Sequence, residues 1–200
     1  MTRDQSLDAL MTTARAEFLR YGFDGTDVNR IARRSGVAPT TFYRWFKDKT
    51  DIFIAVYRRW EAHELQSMRR LMAREGSTAA LTEACVDHHR THTLFRRSLR
   101  RLGHEDARMR QALAASRLER LAALKAWIGE PRPADTDLGV DLLLFESLTT
   151  LLAESDLGEM GLDDRAARRQ LAAIIGRWRV QPARAANDEV PEPQLSAAPA

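Results

Sequence analysis

Cysteine is nearly absent. The 200-residue chain has one, Cys85, so no disulfide can close within it, and such usage fits a reducing compartment. Long apolar runs are absent too. Nothing approaches the roughly 18 consecutive apolar residues that suggest a bilayer span. The opening MTRDQSLDALMTTARAEF interrupts its apolar residues with acids and threonines, so neither a membrane span nor a signal peptide is expected. Glycine and proline are sparse, at ten and seven residues, and four of the prolines fall in the last twenty positions. The alternating patterns of strands are missing. So are a phosphate-binding glycine loop, a nucleophile elbow, a zinc-protease histidine pair and a kinase signature. Ser, His and Asp have no triad spacing, and an enzyme is not expected.

Acid is missing from one stretch in particular. Between Val28 and Lys47 there is no Asp or Glu, against five cations: Arg30, Arg33, Arg34, Arg44 and Lys47. The net charge of the whole chain is only +3, so this local field matters more than the total. It suits a polyanion, and a merely solvated face is the alternative.

What is present is helical. Ala, Leu and Arg lead the helix propensity scale, and apolar residues recur at helical spacing along most of the chain. The first helix spans about 4–21, with Leu7, Leu10, Met11, Ala14, Phe18 and Tyr21 on one face and Gly22 ending it. Thr26 is a candidate N-cap for a second helix over 27–35, which Gly36 breaks. Pro39 opens a third over about 39–45. Asp48 caps a long fourth helix over 49–75. Further helices are expected over 77–101, with Gly103 as an interruption, then 106–127, 135–154 and 164–178, the last capped by Asp163. Gly129, Pro131 and Pro133 mark a loop. Residues 181–200 have the composition of a disordered tail.

Two short helices joined by a glycine turn suggest a helix-turn-helix. Ala32 is small where the helices cross, and Ile31, Val37, Phe42 and Phe46 are apolar toward a shared core. The second helix of such a unit enters the major groove. Pro39, Thr40, Thr41, Tyr43 and Arg44 are then the DNA-facing set. Arg44 suits a bidentate pair with guanine, Thr40 a base edge or thymine methyl, and the Tyr43 hydroxyl a phosphate. Thr26 and Lys49, at two helix starts, are candidate phosphate seats.

Gly25-Thr26, Ile31-Ala32, Gly36-Val37 and Thr41-Phe42-Tyr43, with Phe46 and Lys49, resemble the N-terminal domain of the TetR family of bacterial transcriptional regulators over about residues 10–56. Three positions depart from the family's habit: Glu17 stands where Leu is usual, Thr40 where Pro or a small residue is usual, and Trp45 where His or Tyr is more common. The resemblance implies an all-α homodimer: a helix-turn-helix domain over 1–48, a helical ligand-binding and dimerisation domain over 49–180, and the tail over 181–200. It implies a cytoplasmic repressor that leaves a palindromic double-stranded operator when a small molecule binds, with no cofactor. Control by a protein partner instead of a small ligand is the alternative.

The C-terminal two-thirds has no such residue code. The helix over 135–154 is apolar nearly all round, so it is buried on more than one side, against its own core and against a second copy; a monomeric core is the alternative. His88 and His92 lie four apart at metal-ligand spacing, but two ligands are too few and no metal is expected. His88, His92, Phe95, Met109 and Trp127 are candidates to line a ligand pocket, and the same residues also suit a plain core. Arg96, Arg97, Arg100 and Arg101 read as a solvated face, with an acidic ligand or partner as the alternative. Cys85 reads as a small buried residue, a redox role requiring exposure and a lowered pKa.

Overall fold

The computed structural model describes residues 2–73, 76–128, 134–155 and 157–179. Among these, the chain forms nine α-helices and no strand. The expected all-α class holds. No helix of the described residues is long and apolar enough to cross a membrane.

α1 (Arg3–Tyr21) starts from a capping box: the Thr2 hydroxyl accepts from the Gln5 N–H, and the Gln5 side chain accepts from the Thr2 N–H. It buries Leu10, Ala14 and Phe18 completely. α2 (Val28–Arg34) is capped by Asp27, whose carboxylate accepts from the Arg30 N–H at 2.8 Å. Thr26 is not the cap. The helix begins one residue later than expected, and the Thr26 hydroxyl instead donates back to the Gly22 carbonyl at 2.9 Å, closing the turn after α1.

α2 ends in a Schellman closure: Val37 N–H reaches the Ala32 carbonyl and Gly36 N–H the Arg33 carbonyl. Gly36 sits at φ +71°, and no atom lies within 4 Å of where a Cβ would stand. Glycine is required there by the backbone, not by space. α3 (Pro39–Phe42) is shorter than the expected 39–45. Beyond Phe42 the chain tightens, with Arg44 N–H bonded to Thr41 and Trp45 N–H to Phe42. Phe42 and Phe46 thereby meet at a ring separation of 5.6 Å, and both are buried.

α4 (Lys49–Met72) is capped by Asp48, which accepts from the Asp51 N–H; residues 74 and 75, expected to belong to it, lie outside the described residues. The single helix expected over 77–101 is two, α5 (Thr78–Arg90) and α6 (Thr93–Glu105). Threonine chemistry accompanies the break. Thr91 donates its hydroxyl to the Asp87 carbonyl and Thr93 donates to the Arg90 carbonyl, while His92 leaves helical geometry at φ −129°, ψ 29°. Gly103 does not interrupt anything. It lies inside α6, where a Cβ would approach Leu113 Cδ1 to 2.7 Å. α7 (Ala107–Ile128), α8 (Asp135–Glu154), a 3-10 turn over Gly158–Met160 and α9 (Asp164–Trp178) complete the order. The expected loop at Gly129, Pro131 and Pro133 and the tail over 181–200 lie outside the described residues.

Two cores result. The first is built on a chain of rings: Phe18 to Phe53 at 4.8 Å, Phe53 to Phe95 at 5.1 Å, and Phe95 to Trp60 at 5.3 Å. It runs past residue 48 and takes in α4, α6 and the start of α7. The second joins α5, α8 and α9 around Cys85, Leu138, Phe145, Leu171 and Ile175.

Candidate nucleic-acid interface and its linked cavity

The α2–turn–α3 unit presents one outward face. Pro39, Thr40, Tyr43 and Arg44 are exposed, Tyr43 to 60%, and Thr41 is half-buried. Behind them Ile31, Ala32 and Phe42 are fully buried and hold the unit on α1 and α4. The five-cation run divides in two. Arg33, Arg44 and Lys47 are exposed and have no ion pair among the described residues. Arg30 and Arg34 instead turn inward onto Glu17, at 2.5 and 2.7 Å, and Arg30 lies 4.0 Å over the Tyr21 ring. The departure at Glu17 thus has a physical meaning. A buried carboxylate replaces an apolar contact and ties α1 to α2 through two guanidinium groups.

Lys49 also turns inward. Its ammonium donates to the Phe23 and Thr26 carbonyls, each at 2.9 Å, and sits 4.0 Å over the Phe23 ring. Burial lowers its pKa, with Asp24 opposing. Both expected phosphate seats are therefore engaged within the fold: the Thr26 hydroxyl on Gly22, and the Lys49 ammonium on the α1–α2 turn that carries Thr26.

α6 grips the same turn from the other side. The Phe23 N–H donates to Ser98 Oγ at 2.9 Å, Arg101 pairs with Asp24 at 2.7 Å, and a Cβ on Gly22 would lie 3.2 Å from Ser98 Oγ. At the next junction Arg108 pairs with Asp48, the cap of α4. The arginine run on α6 keeps Arg97 and Arg100 exposed, as a solvated face would, but also ties its guanidinium groups into ion pairs. Arg97 and Arg100 pair with Glu154 of α8 at 3.3 and 2.6 Å, and Arg96 pairs with Glu64 of α4. Acids on three neighbouring segments account for the difference.

Arg96 borders a cavity of about 100 Å³ lined by α4 to α9 and partly open to solvent. One wall is apolar, with Met68, Met72, Leu124, Trp127 and Phe145. The other is ionic. Arg120 of α7 bridges Glu61 of α4 and Glu146 of α8, while Glu64 takes Arg96 and, at 2.8 Å, His88 Nε2. Burial disfavours the charge of Glu64, but the His88 bond and the Arg96 charge outweigh it and hold its pKa below the usual value. His89 lines the cavity as a neutral ring. Burial pushes its pKa down to about 3, and Nδ1 faces the Cys85 carbonyl at 3.1 Å, which assigns the proton to Nδ1. Among the described residues, Arg96 Nε and Trp178 Nε1 are buried donors without an acceptor.

Residues 10–56 match the family model described as bacterial regulatory proteins, tetR family. The chain carries a TetR-family DNA-binding domain. No curated protein matches the chain, but solved structures do. One is a putative TetR-family transcriptional regulator from Mesorhizobium loti, 17% identical with a TM-score of 0.60, covering 89% of this chain and 96% of that one. Another is a transcriptional regulator from a Rhodococcus species, 17% identical, TM-score 0.59, covering 84% and 93%. A third is the transcriptional regulator FadR from Bacillus subtilis in complex with stearoyl-CoA, 14% identical, TM-score 0.51, covering 84% and 97%. At these identities the likeness concerns the fold, which extends the TetR architecture over the C-terminal helices as well. The match to the family model is thus confined to residues 10–56, and the likeness over the remaining helices is one of fold.

The sequence-predicted DNA residues fall together on one face, apart from Thr26 and Lys49. The predicted pocket residues do not stay together. Trp127 lines the cavity. Phe95 and Met109 belong to the first core, because α6 and the start of α7 pack on α1 and α4. His88 is drawn to Glu64, and His92 lies in the α5–α6 break against Trp60. Burial lowers the pKa of His92. His89, passed over in the sequence, is the histidine of the cavity. Among the described residues no group of three or more His, Cys, Asp or Glu is placed to hold a metal. Cys85 is fully buried, and burial pushes its thiol up to about 12, the opposite of a reactive cysteine.

Proposed function

We propose that the protein is a cytoplasmic homodimeric repressor that leaves a two-fold symmetric DNA site when a small molecule fills the α4–α9 cavity. On this reading 1–48 is the DNA-binding domain and 49–180 the ligand-binding and dimerisation domain. The observation that carries it is α6. Arg96 borders the cavity, and two residues further on Ser98 holds the turn that supports the recognition unit. A ligand that displaces Arg96 moves the same rigid helix that positions the DNA-binding head. The ligand shifts the balance only by its differential affinity for the two arrangements, and a shift from 1:99 to 99:1 requires about 10⁴-fold.

Pairing is supported by α8 and α9. Val140, Leu143 and Leu144 of α8 are each about half exposed, at 50, 48 and 47%, although the opposite face of that helix is core. Beside them α9 exposes the small residues Ala166, Ala173 and Gly176, which allow close helix approach. Two such faces make a self-complementary four-helix contact. Recognition helices held this way meet successive major grooves about 34–36 Å apart. FadR, solved with stearoyl-CoA, supports small-molecule control over control by a protein partner.

The test is selection of bound fragments from the source genome at physiological salt. Enrichment of a few fragments sharing a two-fold symmetric site is expected. Uniform, salt-sensitive retention would overturn specific recognition and leave only backbone binding.

A further inference from the structure

Resting on the reading of the cavity as the regulatory site, we infer that its ligand is an uncharged, largely apolar molecule with an oxygen acceptor, such as a ketone or ester, and is neither an acid nor an amine.

The charges of the ionic wall are already matched. Arg120 is held by Glu61 and Glu146, and Arg96 by Glu64. Three carboxylates face Arg96 and Arg120, and the third guanidinium group of the lining, Arg69, is exposed to solvent, so an acid reaching the buried wall would add a fourth negative charge with no buried cation free to meet it. A buried charge without a partner is among the costliest groups in a protein. An amine finds carboxylates that Arg and His88 already occupy. It also offers no acceptor to the groups that lack one.

Those groups are donors. Arg96 and Trp178 both border the cavity, and Arg96 Nε and Trp178 Nε1 are buried without a partner among the described residues. Trp178 is 5% exposed. A buried N–H left unpaired keeps its desolvation cost, so a ligand oxygen that reaches it recovers more than an ordinary exchange with water gives. The remaining surface asks for carbon: Met68, Met72, Leu124, Trp127, Leu142 and Phe145. The cavity of about 100 Å³ opens toward solvent, and the unbranched Met68 and Met72 are the side chains that yield to a guest.

The experiment titrates the full chain with 2-octanone, octanoate and octylamine, which share a chain length and differ in head group. The ketone is expected to bind at least about tenfold more tightly than the other two. Trp178→Phe keeps the ring against Phe145, removes one donor, and is expected to weaken the ketone about three- to tenfold while leaving the other two unchanged. The carbonyl stretch of the bound ketone is expected below its frequency in hexane. Tighter binding of octanoate or octylamine, an unshifted carbonyl, or an indifferent Trp178→Phe would each overturn the ligand class and leave the cavity reading standing. Binding of none of the three, with no rise in melting temperature, would remove both.

Discussion

The two cores of this chain solve opposite problems. The first, around Phe18, Phe53 and Phe95, is closed with rings, with the buried Glu17 paired to Arg30 and Arg34 at its edge. The second opens toward a cavity and lines it with Glu61, Glu64, Arg96 and Arg120, paired across three helices. Close-packed rings have one good arrangement, because interiors packed at crystal density do not deform gradually. Pairs of long charged side chains can exchange partners when something enters between them. On the proposed function, the contrast separates a part that holds a fixed shape against DNA from a part that admits a guest and moves.

The contrast breaks most severely in the first core. Phe53 contacts Phe18, Phe23 and Phe95, and Phe53→Ala is expected to cost about 3–5 kcal/mol, the range for truncating a buried aromatic. A urea titration reads it, and the loss should change little between pH 8 and pH 5. Arg120→Met acts differently. It strands Glu61 and Glu146, for a loss of about 3 kcal/mol at neutral pH. Stranded carboxylates have raised pKa values, so the folded variant takes up protons before the unfolded chain does. Its deficit relative to the parent should therefore shrink as pH falls. A deficit independent of pH would show that Arg120 matters only as packing.

His89 sharpens the same distinction. Its folded pKa of about 3 lies below the ordinary 6.5, so the unfolded chain binds a proton first. Its contribution to stability is whole above pH 6.5 and falls by about 1.4 kcal/mol per pH unit below it, down to the folded value. Near pH 5 that is about 2 kcal/mol. His89→Gln should flatten the acid limb of the stability profile between pH 6.5 and 5, as measured by melting temperature against pH. An unchanged limb would place the acid sensitivity elsewhere.

Legibility in the sequence followed the same division. α1, α4, α8 and α9 could be read almost to the residue, because their caps (Asp48, Asp163) and apolar periods are local signals. The helix-turn-helix could be read because its glycine, small residue and paired rings sit within one short stretch. The α5–α6 break was missed: threonine back-bonding competes with a helix only by small margins, and DHHRTH contains no Gly or Pro. Of the pocket, only apolar residues such as Trp127 could be read. Its residues come from six helices, and nothing in the sequence places Glu61 beside Arg120 or His89 opposite Trp127. Glu17 shows the rule in miniature. It could be seen as an odd residue for its place, but its partners Arg30 and Arg34 belong to another helix.

Smaller effects are expected on the DNA face, where folding is untouched. Arg44→Ala should relax base preference at one position per half-site by about 1–3 kcal/mol, read by binding to a panel of single-base variants. Equal weakening on every sequence would make Arg44 a backbone contact.

The finest test lies between two neighbouring lysines, one outward and one inward. Lys47 is exposed and unpaired, whereas the Lys49 ammonium is held by the Phe23 and Thr26 carbonyls. Each phosphate neutralised releases about 0.9 of a counterion from duplex DNA. Lys47→Ala should therefore lower the slope of log affinity against log salt by about 1 per subunit, with little change in melting temperature. Lys49→Ala should do the reverse: it loosens the α1–α2 turn, lowers the melting temperature and weakens binding to all sequences, with the slope unchanged. A reduced slope for Lys49→Ala would mean that the ammonium leaves the turn for a phosphate when DNA docks, and that the inward lock is a property of the free protein alone.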